Sequence, residues 1–225
     1  LSGDFIHSIY QDNEGIIWIG TGRNGLNRFD KKNKAFKRFN ENPDDPTNNK
    51  FLSSREVISI VEDRNGFLWL GTTIGGTNKF DKKTETFQHF IHVHKDGTSI
   101  SSNRVVCLFI DSKNRLWVGT YNGGLNLFDE KTNSFIHFME RDGLPDNTIQ
   151  SVIEDEEGML WLGTTNGISR FDPENRSFKN YDVSDGLQGK EFNSKSCLRD
   201  FESGTLYFGG INGLNIYSPG SIQEK

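Results

Sequence analysis

The stretch Gly66-Phe67-Leu68-Trp69-Leu70-Gly71-Thr72 decides the fold, because its pattern returns along the whole chain. Three further copies are centred on Trp18, Trp117 and Trp161, and a fifth, degenerate copy has Tyr207 in place of the tryptophan. The copies follow one another at intervals of 51, 48, 44 and 46 residues. Self-similarity at such a period is typical of architectures built from stacked repeats. The sequence therefore predicts five structural repeats.

Each repeat reads as four short strands, which we name A to D. Strand A alternates and ends at an aspartate, strand B holds the tryptophan, strand C reads Gly-Leu-Asn-x-Phe, and strand D carries two aromatic residues three positions apart. The repeats are predicted at about 5–54, 55–102, 103–147, 148–190 and 191–219, and residues 220–225 form a tail toward a following domain. Strand A is predicted at 6–12, 57–63, 105–111, 149–155 and about 194–200.

Composition supports an all-β fold. The 225 residues include one alanine but 18 phenylalanines and 4 tryptophans, whereas alanine favours helices and aromatic residues favour strands. A four-stranded unit of this size buries its faces only against neighbours arranged around an axis. We predict a β-propeller of about five four-stranded antiparallel blades, with the tryptophans in the core between blades. Repeat five has no aromatic pair after strand C, so we expect it to lack strand D.

Several function classes are disfavoured by the same sequence. The net charge of −5 argues against nucleic-acid binding by this segment, which usually requires a basic surface. No apolar run approaches the ~20 residues of a membrane-spanning helix, so no membrane insertion by this segment is expected. Cys107 and Cys197 have no metal-ligand spacing and are expected to be free thiols. We expect no metal, no cofactor and no catalytic residue.

The repeat phrase carries a family resemblance. Asp-x-x-Gly-x-Leu-Trp-Leu-Gly-Thr, followed by Gly-Leu-Asn-x-Phe-Asp, resembles the two-component regulator propeller repeat, and the linker phrases Asp142-Gly143-Leu144 and Asp185-Gly186-Leu187 match it as well. The resemblance implies a periplasmic sensor region of a bacterial hybrid histidine kinase, with its own flanking receptor domains as partners and the kinase activity elsewhere in the full-length chain. Family members usually carry more blades, so we expect a segment of a larger propeller.

One end of the blades is the better candidate for binding. In a propeller the D–A and B–C loops share one face, and the D–A loops here are long and variable, at 40–54, 91–102, 139–147 and 182–190. Their amide, guanidinium and aromatic side chains suit an oligosaccharide or another small ligand. Three of the candidates are least accounted for by the residue preferences of tight turns: Arg23, Arg104 and Tyr121. The full candidate set is Arg23, Asn24, Arg55, Asn103, Arg104, Tyr121, Asn122, Asn147 and Asn166.

Three functions are open at this stage. The leading hypothesis is a non-enzymatic sensor that responds to a glycan-derived ligand. The alternatives are a propeller lyase acting on a small molecule and a scaffold for protein interaction. Exposed strands at the terminal blades predict either closure of blade one onto blade five or self-association as a homodimer.

Overall fold

The computed structural model describes residues 1–42, 44–45 and 48–218. Its regular structure is five antiparallel sheets, four of them with four strands and one with three. In every sheet the strands follow one another in chain order. The predicted fold class, an all-β propeller of five blades, is confirmed, and the fifth blade has strands A, B and C among the described residues. The tail predicted at 220–225 lies outside the described residues.

The strands of each blade are short and evenly spaced. Blade one contains β1 (Ile6–Gln11), β2 (Ile17–Thr21), β3 (Leu26–Asp30) and β4 (Ala35–Phe39). Blade two contains β5 (Val57–Glu62), β6 (Leu68–Thr72), β7 (Thr77–Asp81) and β8 (Thr86–Phe90). Blade three contains β9 (Val105–Ile110), β10 (Leu116–Thr120), β11 (Leu125–Asp129) and β12 (Ser134–Phe138). Blade four contains β13 (Ile149–Glu154), β14 (Leu160–Thr164), β15 (Gly167–Asp172) and β16 (Ser177–Tyr181). Blade five contains β17 (Phe192–Arg199), β18 (Leu206–Gly210) and β19 (Gly213–Tyr217).

Helical structure is confined to two short 3₁₀ turns within the described residues, Glu140–Asp142 and Val183–Asp185. Both follow a D strand and end at a glycine with positive φ, Gly143 and Gly186. No helix in the described part of the chain is long and apolar enough to cross a bilayer.

Contacts divide the chain into two compact units. The first comprises Leu1–Val118 with Asn126–Ile136, and the second comprises Gly119–Leu125 with His137–Lys225. In the first unit, Trp18 packs in a core with side chains of blades one and two, and Trp69 packs in a second core with side chains of blades two and three. In the second unit, Trp161 packs with side chains of blades four and five. The predicted role of the tryptophans as core residues between blades is confirmed for these three.

An aspartate at the end of strand A organises each A–B turn. The Asp63 carboxylate accepts from the backbone N–H groups of Asn65 and Phe67, and its second oxygen accepts from the Trp69 indole. These bonds give the buried indole N–H its acceptor and also hold the backbone of the A–B hairpin turn in place. The same indole-to-carboxylate bond recurs in the first four blades, at Asp12–Trp18 (2.8 Å), Asp63–Trp69 (2.9 Å), Asp111–Trp117 (2.9 Å) and Asp155–Trp161 (2.7 Å).

The first four A strands end one residue earlier than predicted, because the aspartate belongs to the turn. The fifth, β17, begins at Phe192 instead of about 194. Its register, ambiguous in the sequence, follows from Cys197 pairing with Phe208, which sets Ser196 opposite Gly209. Serine faces the same glycine in blades one, two and four. Ser196 is therefore the small residue of the fifth A strand.

The small residues of strand A have a packing reason. The Ser59 hydroxyl accepts a 3.1 Å hydrogen bond from the backbone N–H of Leu108, in strand A of the next blade. A Cβ added at Gly71, which pairs with Ser59, would collide with the Val105 side chain. Neighbouring blades thus approach closely here, and only small side chains fit.

Candidate ligand-binding loops

The B–C and D–A loops emerge at the same end of each antiparallel sheet, which we call its loop end. A recurring hydrogen bond ties the two kinds of loop together. The backbone N–H of a B–C-loop glycine donates to the carbonyl of the residue two positions before the next strand A. The pairs are Gly25–Arg55 (2.7 Å), Gly76–Asn103 (3.0 Å), Gly124–Asn147 (2.7 Å) and Gly167–Lys190 (2.7 Å). Arg55, Asn103 and Asn147 are thus equivalent positions whose backbones are structural.

Glycine is required at these B–C positions. Gly25 has a φ of +71°, and a Cβ there would collide with the carbonyl oxygen of Phe39. The threonine that precedes each loop adds a second bond, as Thr21 Oγ1 donates to the Gly25 carbonyl at 3.0 Å. The pattern Gly-Thr-x-x-x-Gly of blades one to three, shortened to Gly-Thr-x-x-Gly in blade four, therefore encodes loop geometry.

In the first unit, two candidate amides are held by neighbouring residues. The Asn24 side-chain oxygen accepts from the guanidinium of Arg38 in β4 at 3.1 Å, and its backbone carbonyl accepts from Ser2 Oγ. The Asn103 side-chain oxygen accepts from the backbone N–H of His92 at 2.7 Å. Both amide oxygens are therefore already engaged in the fold.

In the second unit, three candidate amides are engaged in the same way. Asn122, with a φ of +58°, accepts from the Thr148 hydroxyl at 3.1 Å. Asn147 accepts from the backbone N–H of Glu140 and donates to the Glu140 carboxylate. Asn166 donates to the backbone carbonyl of Pro145 at 3.1 Å. Their first role in the fold is to brace the loops; the sequence favoured such a turn role but did not identify the partners.

The remaining four candidates present side chains to solvent. Arg23 and Arg104 are exposed, and Tyr121 is 39% exposed. The Arg55 side chain is 61% exposed, and its Nε lies 4.0 Å from the Glu41 carboxylate. The three guanidinium groups belong to the first unit, and the Tyr121 phenol belongs to the second. The nine candidates remain predictions as ligand-binding residues.

A second set of asparagines was not singled out by sequence reasoning. The buried Asn78 in strand C accepts from the backbone N–H of Ser53 at 3.0 Å and donates to the Ser53 hydroxyl at 2.7 Å. Asn27, Asn126 and Asn215 accept from a linker N–H in the same way. Each bond fastens the linker to the blade that follows it. The signal was present in strand C, where an asparagine follows Leu26, Thr77, Leu125 and Leu214 at the same repeat position.

The strongest charge cluster lies at the opposite end of the blades, in the first unit. The ammonium of Lys82 lies 3.0 Å from Asp12, 3.2 Å from Glu14 and 2.7 Å from Glu62. The Lys82 side chain is 10% exposed, and the Asp12 and Glu62 side chains are almost fully buried. Because Asp12 lies in the A–B turn of blade one and Glu62 ends strand A of blade two, the cluster joins blades one and two.

The pKa values of Asp12 and Lys82 are shifted in opposite directions. Burial alone would raise the pKa of Asp12, but hydrogen bonds from Trp18, the Ile16 backbone and Lys82 hold that pKa below its usual value. Burial opposes the charged form of Lys82, yet its bonds to Glu62, Asp12 and Glu14 raise the Lys82 pKa. Both groups are thus held in their charged forms, as expected for a structural ion-pair network.

A crevice of about 390 Å³ also opens at that opposite end, lined by Trp69, Lys79 and Arg115 among others. It lies beside the A–B and C–D turns, away from the predicted loop ends. Among the described residues, no group of three or more His, Cys, Asp or Glu side chains is arranged to hold a metal ion. Neither the buried Cys107 nor the half-buried Cys197 is bridged by a disulfide in the structure.

Comparison with known proteins supports the repeat assignment. The family model for the two component regulator propeller matches residues 1–23, 52–73, 99–122 and 143–166. The chain carries two component regulator propeller repeats. Each match spans a linker, strand A and strand B, including the Asp–Trp hydrogen bond in blades one to four. In blades one to three the buried asparagine of strand C lies just beyond the matched segment, and in blade four Ser169 occupies that place.

Relatives with such propellers are signalling proteins. The chain is 34% identical over 216 residues to histidine kinase P4 of Formosa agariphila, covering 94% of this chain and 15% of that protein. It is similar to the extracellular domains of two putative hybrid two component systems from B. thetaiotaomicron. The first has a TM-score of 0.81 and 28% identity, covering 96% of this chain and 28% of that one. The second has a TM-score of 0.80 and 25% identity, covering 98% and 30%.

The chain thus spans less than a third of the length of these relatives. A virginiamycin B lyase from Staphylococcus aureus also matches, with a TM-score of 0.69 and 15% identity over 98% of this chain and 71% of that one. At this identity the likeness concerns the propeller fold alone. The two component regulator propeller repeats are therefore the more specific match.

Proposed function

We propose that this chain is the ligand-sensing region of a bacterial two-component receptor and is not itself an enzyme. The observation that carries the proposal is the 34% identity to a histidine kinase over 216 residues. The similarity to extracellular domains of hybrid two component systems supports it. In this account the kinase lies elsewhere in the full-length receptor, and the flanking receptor domains are the partners of the propeller.

We infer a periplasmic location for the same reason, since the similar solved domains are extracellular parts of signalling systems. A ligand bound outside the inner membrane would bias the receptor between two signalling states. Such a bias requires only that the ligand bind one state more tightly than the other.

The proposed ligand is a glycan-derived oligosaccharide, bound at the loop ends. Exposed guanidinium groups, as at Arg23 and Arg104, pair well with carboxylate or sulfate substituents of acidic sugars. The exposed Tyr121 offers a flat apolar face beside a hydroxyl, which suits the face of a sugar ring. The braced asparagines hold the loops in place and reduce the entropy lost on binding.

Calorimetric titration with neutral and uronic-acid oligosaccharides tests the proposal. Arg104→Ala and Tyr121→Ala, measured separately, should each weaken binding about tenfold or more, because each removes a charged or aromatic contact. Lys131→Ala is the matched control, since Lys131 is an exposed cation in a C–D turn at the opposite end of blade three. Its affinity should not change.

Two results would overturn different parts of the proposal. Saturable binding that neither variant weakens would reject the assigned loop residues but keep the sensing function. Turnover of the oligosaccharide, or no binding to any member of the panel, would reject the glycan-sensing function itself.

A further inference from the structure

One of the four aspartates that bind a tryptophan indole differs from the other three in its charge balance. Three of them have a cation beside the carboxylate, in the pairs Asp12–Lys82 (3.0 Å), Asp111–Arg115 (2.5 Å) and Asp155–Arg170 (3.5 Å). Asp63 is the exception. Within the part of the chain that the structure describes, no side-chain nitrogen of lysine, arginine or histidine lies within 4.0 Å of its carboxylate.

The Asp63 carboxylate is nevertheless buried. The residue is 7% exposed, and its oxygens accept from the indole of Trp69 and from two backbone N–H groups, all of which are uncharged donors. A buried carboxylate without a cation beside it is an unfavourable arrangement. A positively charged group brought to Asp63 is therefore stabilised there.

An open space lies next to this carboxylate. Asp63 lines the crevice of about 390 Å³ at the turn end of blades two and three, together with the apolar side chains of Ile110, Phe128 and Trp69. The rings of Trp69 and Phe128 lie 4.8 Å apart. The volume is within the range of small-molecule sites. Carboxylates and aromatic rings both attract cations, so the crevice suits a cation with an apolar stem.

The interface between blades one and two shows which group fits this place. There the ammonium of Lys82, the residue directly after strand C, reaches the carboxylate of Asp12. In blade three the same position holds Glu130, which lines the crevice and brings a second carboxylate in place of the ammonium. Strand A of blade three ends at Ile110, where strand A of blade two ends at Glu62. The place is thus open to a cation carried on a carbon chain.

The basic side chains that line the crevice have other surroundings. Arg115 is paired with the aspartate of its own blade. The ammonium of Lys79 lies over two aromatic rings, 4.4 Å and 5.3 Å from their centroids. Lys113 and Lys131 are exposed, where water and salt screen their charge. The negative charge of Asp63 is therefore left for a ligand.

We propose that this crevice binds the protonated amino group of a small aliphatic amine. The ammonium pairs with Asp63 and Glu130, and the carbon chain lies against Ile110 and Phe128. The site is at the end of the blades opposite to the proposed glycan site, so neither proposal depends on the other.

Calorimetric titration with butylammonium chloride at constant ionic strength tests this proposal, because butylammonium copies the end of a lysine side chain. 1-Butanol is the matched control, since it has the same carbon chain without the charge. Butylammonium should bind saturably, and 1-butanol should bind at least about tenfold more weakly.

A charge-reversed variant locates the site. Glu130→Lys gives blade three the residue type that blade two has at Lys82. Its ammonium should occupy the crevice, weaken butylammonium binding at least about tenfold and raise the melting temperature. Glu202→Lys is the matched control, because it makes the same charge change at an exposed A–B turn position of blade five. Its affinity and melting temperature should match those of the natural protein.

Lys79→Met tests whether Lys79 is the cation of Asp63. The proposal expects this variant to bind butylammonium at least as tightly as the natural protein, because a competing positive charge is removed. Its melting temperature should fall much less than that of Lys82→Met, which removes the cation of the first cluster.

Three results would overturn the proposal. One is equal binding of butylammonium and 1-butanol, or binding of neither. Another is butylammonium binding that Glu130→Lys and Glu202→Lys affect alike. The third is a Lys79→Met protein that is destabilised as much as Lys82→Met, because Lys79 would then be the cation that Asp63 requires.

Discussion

The indole nitrogen of Trp69 donates a 2.9 Å hydrogen bond to the carboxylate of Asp63, six residues earlier in the same hairpin. The bond joins the end of strand A to the core between blades. It recurs in the first four blades and is therefore a repeating structural element of this fold. Blade five has Tyr207 at the tryptophan position, and Asp200 there bonds to Ser203 instead. The repeat phrase thus encodes a hydrogen-bonded core contact as well as a strand pattern.

Trp69→Ala should lower the free energy of unfolding by about 3–5 kcal/mol, since it removes a fully buried indole and leaves a cavity. Chemical denaturation measures this loss. Lys83→Ala, at an exposed turn position, is the control and should change stability by less than about 0.5 kcal/mol. Equal effects of the two variants would contradict the assigned core.

Asp63→Ala should cost about 1–3 kcal/mol, because it leaves the buried Trp69 indole and turn N–H groups without their acceptor. In a Trp69→Phe background, where no indole donor remains, the same substitution should cost less. A double-mutant cycle with denaturant melts measures the difference. Additive effects would mean that the Asp63–Trp69 bond contributes nothing to stability.

Lys82→Met should destabilise the protein by about 3–5 kcal/mol near neutral pH, because Asp12 and Glu62 would remain buried without their cation. Lys83→Met, at the adjacent exposed position, should have little effect. Differential scanning calorimetry of the two variants provides the comparison. A Lys82→Met protein as stable as the Lys83→Met protein would show that the cluster is not a net stabilising contact.

The same cluster predicts a pH dependence. Asp12 has a folded pKa below its ordinary 3.8, so its contribution is present above that pH and is lost as the pH falls through the folded pKa. Lys82 has a folded pKa above its ordinary 10.5, so its contribution is lost as the pH rises through the higher value. The difference in melting temperature between the natural protein and Lys82→Met should therefore be largest between these limits. A difference that grows below pH 4 would contradict the assignment.

Asn78→Ala should cost about 1–3 kcal/mol by leaving the Ser53 backbone N–H without its partner at the blade-two linker. Hydrogen exchange should show faster opening at residues 51–54 than in the natural protein. Asn65→Ala is the control, because the Asn65 side chain lies in an A–B turn at the other end of the blade. Unchanged exchange at 51–54 in Asn78→Ala would contradict the role of the buried asparagine.

The sequence was sufficient to predict the blades because two patterns, the tryptophan phrase and the aromatic pair, recur with the same spacing along the chain. The tryptophan phrase marks strand B, and the aromatic pairs mark strand D, so the strand positions follow within a residue or two. The register of β17 was not predictable, since Ser196 and Cys197 are both small and only pairing with Phe208 and Gly209 distinguishes them. Closure of blade one onto blade five, and self-association, stay predictions.

The candidate loops were harder to interpret from sequence. Asparagine is common in turns, so the sequence favoured a structural role for Asn24 and Asn147 singly, without showing what they contact. Their partners, Arg38 and Glu140, lie 14 and 7 residues away, and no sequence pattern marks these pairs. Arg104 and Tyr121 are exposed. They remain candidates because no turn geometry requires a guanidinium or a phenol at those positions.

The most direct test of the sensing account is hydrogen exchange of the natural protein with and without a saturating oligosaccharide that binds in calorimetry. The account predicts slowed exchange at the loop ends, within the B–C loops such as 121–124 and the D–A loops such as 91–102. It also predicts an unchanged ligand after prolonged incubation. Slowed exchange confined to the A–B and C–D turns, or chemical conversion of the oligosaccharide, would contradict it.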